Sequence, residues 1–324
     1  MSFCGGWDNR MNGVVLAYII ANLTGRDFKF EHLKPACDIT NYLSMNKVSW
    51  HLPHSIHKKV VDSKDVMLIN KMNKNSFLNS LPHTNFNDIL PPDVPYVYFL
   101  GNRNYELRIK CSEVYRQQLS WMRNLTRGEI KAAIYKRLFR LAPPMQAKVM
   151  NILARHLPTS RHKLICAHLR MGKNPSNKYD GELQTMDALA NVWKFIQRKS
   201  IDDFHKVFIM SDSDAVMDNA KKQVFRNRLV LTEGPVVHID LARGDSTEQK
   251  CAGFEKLLLD QHILMNCDVL MVGNSGISRL AAYIRGTDRE LFCHLANGSI
   301  VPSTRYDFDF LTPSNGQGTT DENC

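Results

Sequence analysis

The sequence predicts an α/β protein whose second half is a doubly wound parallel sheet. Three observations predict it. Between Arg161 and Gly286, apolar runs of strand length alternate four times with longer segments of helical spacing. Loops rich in Gly, Ser and Asp follow several of those runs, as they do at the carboxyl ends of parallel strands. The chain has 324 residues, too many for one ordinary core, and fits two domains of about 150 residues each.

Taken in order, residues 4–13, CGGWDNRMNG, read as a turn-rich loop. Residues 13–24, GVVLAYIIANLT, run apolar without alternation and read as a buried helix stopped by Gly25. From about 35 to 105, His, Asn, Pro and Ser are frequent and apolar runs such as VPYVYFLG are short, so loops with short strands are expected. Residues 105–156 read as helical, ended by Leu157-Pro158. The regular pattern then begins. KLICAHLR, KVFIMSDS, PVVHIDL and CDVLMVGNSG are the strands. MDALANVWKFIQRK, AVMDNAKKQVF, GFEKLLLDQHILMN and ISRLAAYIRG are the helices that follow them, on right-handed crossovers. The expected division is a domain over 1–155, a second over 156–312 and a disordered polar tail over 313–324.

Hydrophobic residues make up 44% of the chain and charged residues 23%, the balance of a folded soluble protein. A net charge of +10 with a pI near 9.2 favours acidic partners: nucleic acid, anionic membrane, sulfated glycan or nucleotide. The Lys and Arg are scattered, however, and the densest group, KAAIYKRLFR, falls at helical spacing. With no zinc-knuckle spacing and no RNA-binding aromatic signature, nucleic acid is not an expected partner. Neither a signal peptide nor a span of 18 apolar residues occurs, so no membrane segment is expected in this chain. The Gly-rich loop starts at residue 5, with hardly room for a preceding strand, and the chain reads as a trimmed piece of a longer protein. Eight cysteines include no CxxC pair. Cys166 and Cys267 fall on predicted strands and are expected as buried thiols, with a disulfide among the others left open. The sequons at Asn22, Asn124 and Asn297 are close to what chance gives in a chain this rich in Asn, Ser and Thr.

The candidate site collects at the strand ends. The first strand delivers His168, Arg170 and Lys173, and the second Ser211, Asp212, Ser213 and Asp214. The fourth delivers Gly273, Asn274, Ser275, Gly276 and Ser278, with NSGIS entering a helix whose exposed amides and dipole favour an anion. An arginine fork matches phosphate or carboxylate. The carboxylates of the second loop would suit ribose hydroxyls or a guanine edge. Each feature alone has a plainer reading: a strand-end salt bridge for Arg170, and N-capping by Ser275 and Asp214. Three loops of matching character point instead to a nucleoside diphosphate.

These residues resemble the GDP-fucose fucosyltransferases and their protein O-fucosyltransferase relatives. Gly5-Gly6-Trp7-Asp8-Asn9-Arg10 is similar to that family's Gly-x-Gly-Asn-Arg loop, and His168-Leu-Arg170 to its His-x-Arg motif. The strand ending Ser211-Asp212-Ser213 is the third likeness. The fourth is the stretch 257–286, with Asp260, Asp268, Ser275, Ser278 and Arg279 at the family's positions. Two departures stand out: Trp7-Asp8 in place of the second glycine, and Met171-Gly172-Lys173 in place of Arg-Gly-Asp or Arg-Thr-Asp.

The resemblance implies a GT-B-like architecture, two Rossmann-like domains facing a cleft, with the acceptor on the N-terminal side and the GDP-sugar on the C-terminal side. It implies an inverting glycosyltransferase that moves fucose from GDP-fucose to a glycan or protein hydroxyl, with no metal and no other cofactor. It places such a protein in the Golgi or ER lumen, the alternative being the cytoplasm. Arg170 would hold the β-phosphate, and Asn9 and Arg10 would reach fucose and phosphate, with Gly6 in their loop. His168 would lie near guanine or phosphate, Asp260 near guanine or ribose, and Ser275, Gly276 and Ser278 on the phosphates. Lys173, Asp212, Ser213 and Arg279 complete the implied donor site. Asp8, Asp180 and Glu182 are the candidate bases. Two alternatives stay open: a metal-dependent transferase using Asp212 and Asp214 as an Asp-x-Asp motif, and a non-catalytic nucleotide-sugar or glycan-binding protein.

Overall fold

The computed structural model describes residues 5–52, 66–70, 75–172, 181–237, 239 and 246–308. They form two compact units. Residues up to Leu33 group with Leu43–Arg140, and Lys34–Tyr42 groups with the described residues from Leu141 to Phe308.

In the first unit the helix Trp7–Leu23 is apolar nearly all round and is buried from Trp7 to Ala21 with few breaks. It packs on the helices Glu106–Ile109 and Arg127–Leu138. Here the expected loop over 4–13 is corrected, because the helix begins at Trp7 with Gly6 as its N-cap. Gly13, read as the end of the loop, lies inside the helix. A β-carbon there would meet the carbonyl oxygen of Gly101 at 2.0 Å, so close backbone packing, not a turn, demands the glycine. The strands are short. β1 (Leu43–Met45) pairs with β4 (Phe139–Leu141), and β2 (Val66–Asn70) runs parallel to β3 (Tyr96–Leu100), the predicted VPYVYFLG segment. The helical stretch expected over 105–156 is broken into several pieces. Arg127–Leu138 opens on a capping box of Thr126 and Glu129, and Pro143–His156 opens on prolines.

The second unit holds a six-stranded sheet. In chain order its strands are β5 (Lys163–Leu169), β6 (His205–Ser211), β7 (Leu229–Val230), β8 (Val269–Val272), β9 (Leu291–His294) and β10 (Ile300–Pro302). In space they run β10-β9-β8-β5-β6-β7, with β10 antiparallel to β9 and all other neighbours parallel. This is the predicted doubly wound sheet. Ile165, Ala167 and Leu169 of β5 face a core with Leu189, Val192 and Ile196 of the helix Leu189–Lys199. Alternation therefore turns Cys166 and His168 to the opposite face. The third predicted strand, PVVHIDL, is corrected in part: Pro235–Val237 are not strand, and Leu229–Val230 fills that edge beside β6. Most of the remainder of PVVHIDL lies outside the described residues, as does the tail over 313–324.

Cys166 and Cys267 are not thiols but a disulfide joining β5 to the residue that leads into β8. A second disulfide joins Cys37 to Cys251, and Cys111 is disulfide-bonded too. Cys293, on β9, is a free buried thiol.

Candidate functional site

The strand order decides where a ligand can bind. β5 is paired on one side with β6 and on the other with β8, both parallel, so the order in which strands are added reverses between β5 and β8. A crevice opens at such a switch point, outside the carboxyl ends of the strands. His168 is the penultimate residue of β5, Arg170 follows the strand, and the loop from Gly273 to Ser275 follows β8. The two loops touch. A β-carbon on Gly273 would lie 2.8 Å from the His168 carbonyl oxygen and 3.9 Å from the Arg170 amide nitrogen, so a side chain would separate them.

Arg170 is held through its inner edge. Its Nε lies 2.8 Å from Oδ2 of Asp212, an ion pair by distance that is not aligned as a hydrogen bond. Oδ1 of Asp212 accepts from the Met171 amide at 2.7 Å, and Oδ2 from the Gly172 amide at 3.1 Å. Burial pushes the Asp212 carboxyl up, while the Met171 amide and the Arg170 guanidinium pull it down. Ser211 ties the same strand ends together: its hydroxyl donates to the Leu169 carbonyl at 2.8 Å and accepts from the Ser213 amide. The loop after Arg170 is pinned from its other side by Glu182, which bridges Gly172, while the Leu183 amide donates to the Met171 carbonyl.

The helix Gly276–Arg285 starts at the β8 end. Ser275 is its N-cap but makes no side-chain cap, so the plainer capping reading of this residue does not hold, and the Ser278 hydroxyl donates to the Ser275 carbonyl. Asp214 is the first helical residue of Asp214–Ala220, not its cap; that place belongs to Ser213, whose side chain makes no cap bond. Buried Arg279 reaches back to Oδ1 of Asn274 at 2.9 Å and steadies the loop. His168 is buried with its Nδ1 unmatched by a hydrogen bond. Burial, and then the charge of Arg170, lowers its pKa to about 3, so the ring is neutral. Neutral imidazole carries one donor and one acceptor.

Asp260 lies in a buried network. Thr232 Oγ1 donates to one carboxylate oxygen at 2.6 Å and Lys256 Nζ to the other at 3.0 Å. Burial pushes its carboxyl up and Lys256 opposes. Lys256 was missed in the sequence, although its spacing of four residues from Asp260 on a helix is a readable signal.

In the first unit, Gly5 has φ +76°, and a β-carbon there would lie 2.5 Å from Nδ2 of Asn9. Arg10 is buried and its Nε donates to the Gly5 carbonyl at 3.2 Å. Asn9 and Arg10 thus fold back on their own Gly5-Gly6 turn. Asp8 is paired with buried Lys131 at 2.7 Å, in a cluster with Glu106 and Arg127 that sequence reading did not find. Lys173 and Asp180 lie outside the described residues.

No protein-family model and no curated protein matches the sequence. Solved structures do match the fold. FUT1 of Arabidopsis thaliana, in complex with GDP, aligns at 11% identity with a TM-score of 0.61, over 93% of this chain and 69% of that one. The fucosyltransferase NodZ from Bradyrhizobium aligns at 15% identity with a TM-score of 0.56, over 91% of this chain and 94% of that one. NodZ co-crystallised with GDP gives a TM-score of 0.55 at the same identity and coverage. The mixed α/β chain, with its mostly parallel six-stranded sheet, therefore has the GT-B-like fold of these fucosyltransferases.

Proposed function

We propose that the chain is a glycosyltransferase that moves fucose from GDP-fucose to a hydroxyl of a glycan or protein, with inversion and without a metal. One observation carries the reading: an arginine and an uncapped helix N-terminus meet at the switch point between β5 and β8. Both are anion donors, and that is where nucleotides sit in such sheets. That two bearers of this fold were solved with GDP supports the choice of base.

In this reading Arg170 takes the β-phosphate. The first amides of the Gly276–Arg285 helix, with Ser275 and Ser278, take the remaining phosphate oxygens. As the acceptor oxygen bonds to the sugar carbon, the bond from that carbon to the phosphate oxygen breaks and its electron pair stays on GDP. Fixed donors then meet the developing charge at no cost of reorganisation. The acceptor's proton passes to a carboxylate. Glu182 is the preferred base because its bridge to Gly172 places it two residues from Arg170 along the paired backbone. Asp8 is a poorer base, committed to Lys131. The commitment of Asp212 to Arg170 and two amides favours the metal-free reading over an Asp212–Asp214 metal pair. His168 would offer its unmatched nitrogen to guanine or phosphate, and Asn9 and Arg10 remain candidates for the sugar end of the donor. The disulfides fit an oxidising compartment such as the ER or Golgi lumen, where such a transferase would meet its acceptors. Among the described residues no helix is long and apolar enough to cross a membrane.

A thermal-shift panel of GDP, UDP, ADP and CDP, each with and without EDTA, tests the donor. The expected result is a rise in melting temperature with GDP alone, unchanged by EDTA. A rise with another base, or a GDP effect that EDTA removes, would replace this reading. Fucose release from GDP-fucose over time is expected. GDP binding with no release at all would assign the fold to a binding protein.

A further inference from the structure

We infer that Asp212 is a positioning residue for Arg170: it fixes the guanidinium so that its terminal edge meets the departing diphosphate. The inference rests on the donor reading above. Asp212 immediately follows β6, 42 residues after Arg170 in sequence, as Arg170 immediately follows the neighbouring β5. Its side chain is almost wholly withdrawn from water, at 7% exposure. One carboxylate then makes three attachments to one short loop: Nε of Arg170, and the amides of Met171 and Gly172. The arginine's backbone neighbours and its inner nitrogen are thus held by the same group.

Which nitrogen is held matters. A carboxylate 2.8 Å from Nε draws that side of the guanidinium towards the protein by charge, while its two amide bonds fix the loop that carries the arginine. A structural salt bridge has no need of the two amides. A group that must present an anion-binding edge in one orientation does, because a misplacement of about 1 Å costs on the order of a hundredfold in rate. Gly172 completes the device. With φ +76° it turns the loop sharply, and a β-carbon there would meet the Gly181 carbonyl oxygen at 1.9 Å. The turn lets Met171 and Gly172 both aim their amides at one carboxylate.

A double-mutant cycle tests this. Asp212→Asn, Arg170→Lys and the double variant are each measured for melting temperature, GDP affinity by calorimetry and the rate of GDP-fucose cleavage. The expected outcome for Asp212→Asn is a ten- to hundredfold loss in kcat with less than a threefold change in GDP affinity. Melting should stay close enough to wild type for the protein to be fully folded at assay temperature. In the Arg170→Lys background the same change should cost less than threefold, because the group it positions has gone. Losses that multiply, or turnover per folded molecule near wild type in Asp212→Asn, would overturn the inference. If Asp212→Asn does not fold, Asp212→Glu, which keeps the charge but moves it by one methylene, takes its place with the same expectations. A wild-type protein that neither binds GDP nor cleaves GDP-fucose would overturn the donor reading and this inference with it. GDP binding with multiplicative losses would overturn this inference alone.

Discussion

Two ion pairs, one in each unit, are built with opposite polarity. In the first unit the lysine of Lys131–Asp8 is buried at 2% side-chain exposure and the aspartate is the more open partner at 16%. In the second, the aspartate of Arg170–Asp212 is buried at 7% and the arginine is open at 22%. The buried member of each pair has lost its water and needs its partner; the other member is the more exposed of the two. Lys131 sits between Asp8 and Glu106, with Arg127 near, so its charge is consumed by the interior. Asp212 is paired with Arg170 and with the Met171 and Gly172 amides. One pair is a constraint on folding. In the other the cation is the more exposed partner.

The largest effect should come from breaking the buried cation. Lys131→Met leaves Asp8 without its ion-pair partner and removes a cation that opposes burial at Glu106, and should cost about 3–5 kcal/mol in denaturant unfolding. Adding Asp8→Asn should restore part of that loss. Arg170→Lys should do the reverse. Its melting temperature should hold, while GDP-fucose cleavage falls roughly a hundred- to a thousandfold, about 2.7–4 kcal/mol of transition-state stabilisation. An Arg170→Lys protein that melts early yet cleaves at near wild-type rate would erase the contrast.

Acid sharpens it further. His32 in the first unit lies beside Arg10 and His168 in the second beside Arg170, and burial first, then the arginine, lowers each pKa from 6.5 to about 3. Between those values the unfolded chain binds the protons and the folded chain does not. Stability is therefore full above pH 6.5 and is lost as pH falls towards 3, by up to about 1.4 kcal/mol per pH unit for each ring. Glu106, Asp212 and Asp260, raised by burial, pull the other way, so the measurement is the difference between wild type and His168→Asn. That variant should show the shallower loss over this window. The smallest effect separates two helix starts within the second unit. Ser246 caps its helix through the Gln249 amide, and Ser246→Ala should cost about 1 kcal/mol. Ser275 makes no such bond, so Ser275→Ala should change stability by less than about 0.5 kcal/mol and weaken GDP binding instead.

The second unit was legible because its signals are local. Leu164 to Leu169 is an apolar run of strand length, Val192, Phe195 and Ile196 mark one helix face, and Gly286 closes the last helix in the left-handed conformation a glycine allows. The polar loops that follow β5, β6 and β8 could be placed at one end of the sheet without knowing the pairings. What they do to one another could not. Arg170–Asp212 is a contact across 42 residues, and the same letters serve a metal motif, a cap or an ion pair. The first unit hid more. Gly13 looks like a loop residue until Gly101 is packed on it, and Lys131 looks like one charge among several on a solvated helix face. The cysteines were misread for the same reason: Cys166 and Cys267 are apolar in context, and only the fold sets their α-carbons 6.0 Å apart.

The chain leaves the first unit at Leu33, returns at Leu43 and leaves again after Arg140, and the short excursion between carries Cys37 to its bond with Cys251. On a ribosome this means waiting. The partner emerges 214 residues later, a delay of about 10–40 s at ordinary elongation rates. Cys111 and Cys166 emerge before that partner, and each is a wrong partner for an exposed Cys37 thiol. Native pairing is therefore reached late, after the Thr247–Leu264 helix that carries Cys251 has been synthesised. The order of synthesis works against this bond, and a fragment begun at Leu141 would never make it.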